Sequence, residues 1–101
     1  MTISFIVATI RYTEVAFAPA KNKINIKKHG ISLQRTEDFD FVTAFYDVDD
    51  SQDYGEVRYN AIGWLDALLH TLTFTQDGEA FHAISLRKAT RQEQKTYDEE
   101  S

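Results

Sequence analysis

The residues best suited to chemistry in this chain are a histidine and a small set of cations. His29 follows Asn25-Ile26-Lys27-Lys28 and precedes Gly30, so a short basic helix reads as ending on a glycine with an imidazole at its exit. An imidazole titrates near pH 6.5 and can give or take a proton near neutrality. Arg58 and Arg87 carry planar forks that match a phosphate, and Lys28 adds a point charge. Glu56, two residues before Arg58, supplies a carboxylate of the same strand parity. A proton-transfer group beside phosphate-binding cations is the equipment for work on a phosphodiester.

Each residue also has a plainer reading. His29 can be a helix-end cation bonded to the last carbonyls. Glu56 and Arg58 can pair with each other as a modest surface ion pair. Arg87 can brace the acidic segment, and Tyr97 can pack the last helix with its hydroxyl at the rim. His70, on an apolar strand face, fits a satisfied core histidine, and Trp64 fits either a core residue or a platform for a base. The three histidines lack close metal-ligand spacing and there are no cysteines, so neither a metal centre nor a disulfide framework is expected.

Charge is segregated along the chain. The 101 residues sum to -5, which argues against a general nucleic-acid binder. Yet Lys21, Lys23, Lys27, Lys28 and Arg35 fall in one stretch with no acid, and Glu37, Asp38, Asp40, Asp47, Asp49, Asp50, Asp53 and Glu56 in the next with no base. Arg87, Lys88, Arg91 and Lys95 make a second basic cluster. Such blocks are also what a merely solvated face looks like.

Positioning these groups takes one domain, residues 1–101, with residues 1–11 as an extension and 98–101 as a frayed acidic tail. The apolar run Ile3 to Ile10 is too short for a membrane span and lacks signal-peptide flanks, so a cytoplasmic protein without a membrane partner is expected. Tyr12 to Phe17 suits a half-buried strand, and Pro19 opens a helix that runs to Lys28, with Ala20 and Ile24 on its inner stripe. Ser32 caps a second short helix to about Asp38 or Phe39, with Leu33 and Thr36 inward. Phe41 to Tyr46 reads as a strand and Asp47 to Gly55 as a loop. Three antiparallel strands follow, Val57 to Leu65, Leu68 to Thr75 and Ala80 to Arg87, with turns at Asp66-Ala67 and Gln76-Asp77-Gly78-Glu79. Alternation puts Phe81, Ala83, Ser85 and Arg87 on one face of the last strand, and Thr90-Arg91-Gln92-Glu93 is a capping box that starts the final helix.

Taken together, Pro19, Lys21, Asn25, Lys28, His29 and Gly30, then Gly55 to Tyr59 and Ala61 to Gly63, then Asp77-Gly78 and Ile84-Ser85, and finally Arg87, Ala89, Thr90, Arg91, Glu93 and Tyr97 resemble the BrnT family of bacterial type II toxins, small ribonucleases. Phe17-Ala18 stands where the family usually has Trp-Asp, and His82 where it often has Arg. The resemblance implies an α+β, RelE-like fold: an N-terminal strand, two short helices, a three- to four-stranded mainly antiparallel sheet and a C-terminal helix. It also implies metal-independent RNA cleavage without a cofactor, with His29, Glu56, Arg58 and Arg87 as catalytic residues and Lys21, Lys27, Lys28, Arg91 and Tyr97 on the RNA. On this reading His29, Arg58 and Arg87 converge within about 6 to 8 Å around one phosphate. The implied partner is a BrnA-like ribbon-helix-helix antitoxin in a heterotetramer, which alone contacts DNA. A degenerate toxin acting as a co-repressor subunit is the competing reading.

Overall fold

A computed structural model describes residues 15–50, 55–77 and 80–100. Proline at the first helical position starts α1, Pro19–His29, although Ala18 offers no side-chain cap. Gly30, left-handed at φ 70°, closes it by donating its N–H to Ile26 O at 2.8 Å. A 3-10 helix follows at Leu33–Asp38, where the Ser32 hydroxyl accepts from Gln34 N and both Leu33 and Thr36 are buried. The sheet is an antiparallel meander in the order β1-β2-β3-β4, with β1 Phe45–Asp49, β2 Arg58–Leu65, β3 Leu68–Asp77 and β4 Ala80–Lys88. Residues 78–79, in the expected hairpin turn, lie outside the described residues, as do residues 1–14. The C-terminal helix α2, Arg91–Glu100, follows the expected capping box: Thr90 Oγ1 accepts from Glu93 N at 3.1 Å and Glu93 Oε1 accepts from Thr90 N at 2.8 Å.

The sheet is buried on both faces, each by a different part of the chain. One face, with Ala61, Leu65, Leu72, Phe74, Phe81, Ala83 and Leu86, packs under Leu33, Phe39 and the partly buried Val15, Phe17 and Ile31. On the other, Ile62, Phe45 and Leu69 meet Ala89 and Tyr97 at α2. Gly63 keeps the first layer close, because a Cβ there would stand 2.8 Å from Phe39 Cζ and 3.1 Å from Asp40 O. Gly63→Ala is expected to cost roughly 1–3 kcal/mol of stability, read from the urea midpoint, and an unchanged midpoint would contradict this packing.

Three expectations are corrected here. The strand expected over Phe41 to Tyr46 begins only at Phe45 and runs into the acidic segment through Asp49. Its start is delayed by Asp40, whose carboxylate accepts from Val42 N, Thr43 N and Thr43 Oγ1 and holds residues 40–43 in a turn. Second, α1 does not face inward with Ala20 and Ile24. Ile24 is 50% exposed, while Asn25 is 3% exposed. Asn25 Nδ2 donates to Leu86 O and to Ile31 O, both at 2.8 Å, and Asn25 Oδ1 accepts from Leu86 N at 3.0 Å. Asn22 Oδ1 likewise accepts from Leu33 N at 2.7 Å. The helix is thus pinned by amides rather than by an apolar stripe.

The third correction concerns β4. Thr73 pairs with Ser85 but Phe74 with Ala83, so Ile84 is an extra residue, a β-bulge. The alternation changes there, and Leu86 joins Phe81 and Ala83 in one core while Arg87 points to the other face. Hydrogen-bond direction changes with it. Phe81 O and Ala83 N bond Ala16, as an isolated parallel bridge, and Leu86 N and O bond Asn25. The β4 edge is closed by one residue of backbone and one amide side chain.

Candidate active site

Ala16 lies beside His82 and Asn25 beside Leu86, so α1 runs in the same sense as β4. His29 is one turn beyond Asn25 on the same helix stripe, which carries it toward the end of β4 where Arg87 and Lys88 stand. Its side chain is exposed, and among the described residues no hydrogen bond or ion pair engages it. The last carbonyls are capped by Gly30 rather than by the imidazole. His70, by contrast, is buried, with Nδ1 against Leu68 O at 2.9 Å.

Arg87 forms a two-pronged pair with Glu93, Nη1 to Oε1 at 2.7 Å and Nη2 to Oε2 at 2.9 Å. Its partner is therefore in α2, not in the acidic segment between Asp47 and Gly55. Burial disfavours the Glu93 charge, but the Arg87 hydrogen bonds, the Thr90 N–H and the Arg87 charge outweigh it and hold the carboxyl at about 2 instead of 4.5. A depressed carboxylate stabilises the fold fully above the unfolded value and loses that contribution as pH falls through the folded one. Acid titration followed by circular dichroism is expected to show a loss of helix between about pH 4.5 and 2 that Glu93→Gln removes. A wild-type curve in the variant would contradict the pairing.

Arg58 opens β2, with its Nε 3.5 Å from Glu56 Oε1. It shares a face with Arg87 but not a neighbourhood. Arg58 lies four residues before Ile62, which pairs with Thr71, and Thr71 pairs with Arg87. Strand geometry puts the two Cα atoms roughly 16 Å apart. The direction of α1 carries Lys28 and His29 along the edge toward the end of β4, and the Arg87 side chain lies on the α2 face of that strand. Glu56 and Arg58 lie toward the other end. Continued register sets Arg58 in a row with Thr75 and His82, an exposed histidine whose place opposite Arg58 needed the strand pairing to be seen.

The remaining residues divide by exposure. Lys21, Lys27, Lys28 and Arg91 are exposed. Tyr97 is buried; its hydroxyl accepts from Trp64 Nε1 and donates to Thr43 O, both at 3.2 Å. It packs α2 on the sheet. Among the described residues no group of three His, Asp or Glu side chains stands ready to hold a metal ion, and no helix is long and apolar enough to cross a membrane.

Comparison with protein families gives one finding. Residues 17–93 match the family model described as "Ribonuclease toxin, BrnT, of type II toxin-antitoxin system". The match spans α1, the 3-10 helix, the whole meander and the capping box. A comparison with curated proteins gives no match.

Proposed function

This chain belongs to the BrnT family of ribonuclease toxins of type II toxin-antitoxin systems, and from that premise we propose that it is a metal-independent endoribonuclease that arrests growth by cutting RNA needed for translation. The observation that supports the site is His29, exposed and unengaged among the described residues, on a helix that runs in the sense of β4, the strand that carries Arg87. His29 takes the proton of a ribose 2′-OH, and the 2′ oxygen attacks the adjacent phosphorus. Arg87 and Lys28 neutralise the crowded phosphorane, and the departing 5′ oxygen takes its proton from solvent. Glu56 and Arg58 serve the RNA strand rather than the scissile phosphate: at roughly 16 Å from Arg87, Arg58 meets a phosphate about two or three nucleotides further along an RNA chain laid on this face. Lys21, Lys27 and Arg91 add phosphate contacts, and Tyr97 acts through Trp64 and α2.

Membership of a type II system implies an antitoxin. We take it to be a BrnA-like ribbon-helix-helix protein that forms a heterotetramer and supplies the only DNA contact, in the cytoplasm. Lys21, Lys23, Lys27 and Lys28 beside Ile24 and Ile26, 50% and 47% exposed, fit an acidic, partly apolar antitoxin segment. A complex whose interface avoids Lys28 and His29 would contradict this seat.

The test is cleavage of RNA by purified protein in EDTA, with His29→Ala beside it. Cleavage that needs Mg²⁺ would sink the mechanism, and full activity in His29→Ala would sink the assignment. One observation favours the second reading, a non-enzymatic co-repressor: both site arginines are already engaged by carboxylates. On that reading, expression without antitoxin leaves growth unchanged.

A further inference from the structure

Trp64 is the single tryptophan of the chain, and the sheet leaves it 41% exposed. Its orientation is nonetheless fixed. The indole N–H is satisfied by the Tyr97 hydroxyl at 3.2 Å, and the two rings meet edge to face, centroids 6.0 Å apart and planes at 83°. The rest of the ring opens on a pocket of about 330 Å³ whose other walls include Leu68, Leu69, Ala89, Lys88 and Gln94. Gln94 Nε2 donates to Ala89 O at 3.3 Å, which leaves its side-chain carbonyl as an acceptor. Lys88 is exposed and directly follows Arg87, and Gln94 directly follows Glu93. The pocket therefore adjoins the Arg87–Glu93 pair.

We propose that this pocket receives a nucleobase of the RNA, stacked on Trp64, with Lys88 on a phosphate of the same strand and Gln94 Oε1 accepting from an exocyclic amino group. The proposal rests on the ribonuclease reading and adds to it a base subsite beside the scissile phosphate. Three features favour a base over an aliphatic side chain from a protein partner. A pre-set aromatic ring offers a stacking surface, a cation stands at the pocket, and Gln94, with an amide N–H donated to Ala89 O, brings an amide carbonyl to a lining that is otherwise largely apolar. An aliphatic anchor would use none of the polar groups. The acceptor also selects: adenine, cytosine and guanine carry an amino group that uracil lacks.

Because Trp64 is the chain's one indole, its fluorescence reports the pocket directly. The probes are 2′-O-methylated hexaadenylate and hexauridylate, which 2′-OH attack cannot cleave, and inorganic phosphate. Hexaadenylate is expected to quench Trp64 saturably, phosphate is not, and hexauridylate should bind more weakly. By anisotropy of the labelled hexaadenylate, Trp64→Ala should lose roughly tenfold or more in affinity and Trp64→Phe, which keeps a stacking ring, only a few-fold. Gln94→Ala should narrow the gap between the two oligonucleotides, and thermal melts of each variant confirm folding. Lys88→Ala, which leaves the Trp64–Tyr97 contact in place, should weaken binding and its salt dependence. Binding without quenching, or wild-type affinity in both Trp64→Ala and Lys88→Ala, overturns the proposal. So does a loss of antitoxin binding in these variants with oligonucleotide binding intact. The two readings fail separately: saturable quenching by hexaadenylate without cleavage of ordinary RNA supports the pocket and refutes the ribonuclease, whereas cleavage without quenching refutes the pocket alone.

Discussion

Arg87→Ala is expected to slow RNA cleavage by roughly 10²- to 10³-fold, the usual effect of removing one preorganised donor from a developing oxyanion. The planar group is what matters, since Glu93 takes two of its five N–H groups at 2.7 and 2.9 Å and the phosphate must use the others or displace the carboxylate. Arg87→Lys keeps the charge but not the fork and should recover only part of the rate. Glu93 supplies the control. Glu93→Gln removes the competing carboxylate charge and is expected to lower KM for RNA while leaving kcat within a few-fold. Because the pair also fastens α2 to β4, loss of Arg87 carries a stability cost of roughly 1–3 kcal/mol. Rates must therefore be compared below the melting transition of each variant. An Arg87→Ala protein that is folded and cleaves at the wild-type rate would remove Arg87 from the mechanism.

The largest stability effect is expected at Asn25. Its amide makes hydrogen bonds of 2.8, 2.8 and 3.0 Å that serve both backbone groups of Leu86 and the carbonyl of Ile31. Asn25→Ala removes all of them, leaves backbone groups at the β4 edge without partners, and should destabilise the fold by roughly 3–4 kcal/mol in urea unfolding. Asn25→Asp retains the acceptor for Leu86 N–H but turns the donating end into an oxygen facing two carbonyls, so it should be no better tolerated. Loss of less than about 1 kcal/mol in Asn25→Ala would mean that solvent satisfies these groups, against their observed burial.

What could be read from the sequence was local. Gly30 as a left-handed cap, Ser32 as the start of a short helix, the Thr90–Glu93 capping box and the β2–β3 turn at Asp66-Ala67 each depend on residues within a few positions of one another. Asn25 was hidden because its value lies in a partner 61 residues away, and an asparagine carries no apolar signal for periodicity to detect. Asp47 and Asp49 disguised a strand. Acidic residues are poor strand formers in general, but β1 is the sheet's outer strand, where exposed charge is tolerated and discourages pairing with other chains. For the site, residue types were legible and grouping was not. That Arg58 and Arg87 lie at different ends of a face is set by strand register across β3, which no spacing along the chain reveals.

The extra residue in β4 also bears on how the chain can change. Up to Ala83 the strand follows one two-residue rhythm, and beyond Ile84 it follows the opposite one. Losing Ile84 alone would merge the two rhythms into one regular strand and leave Phe81, Ala83 and Leu86 on the core face and Arg87 on the other. Pulling the bulge straight without losing a residue would instead turn Arg87 toward the core and Leu86 toward water. Among chains of this architecture, a β4 without the bulge should therefore be one residue shorter.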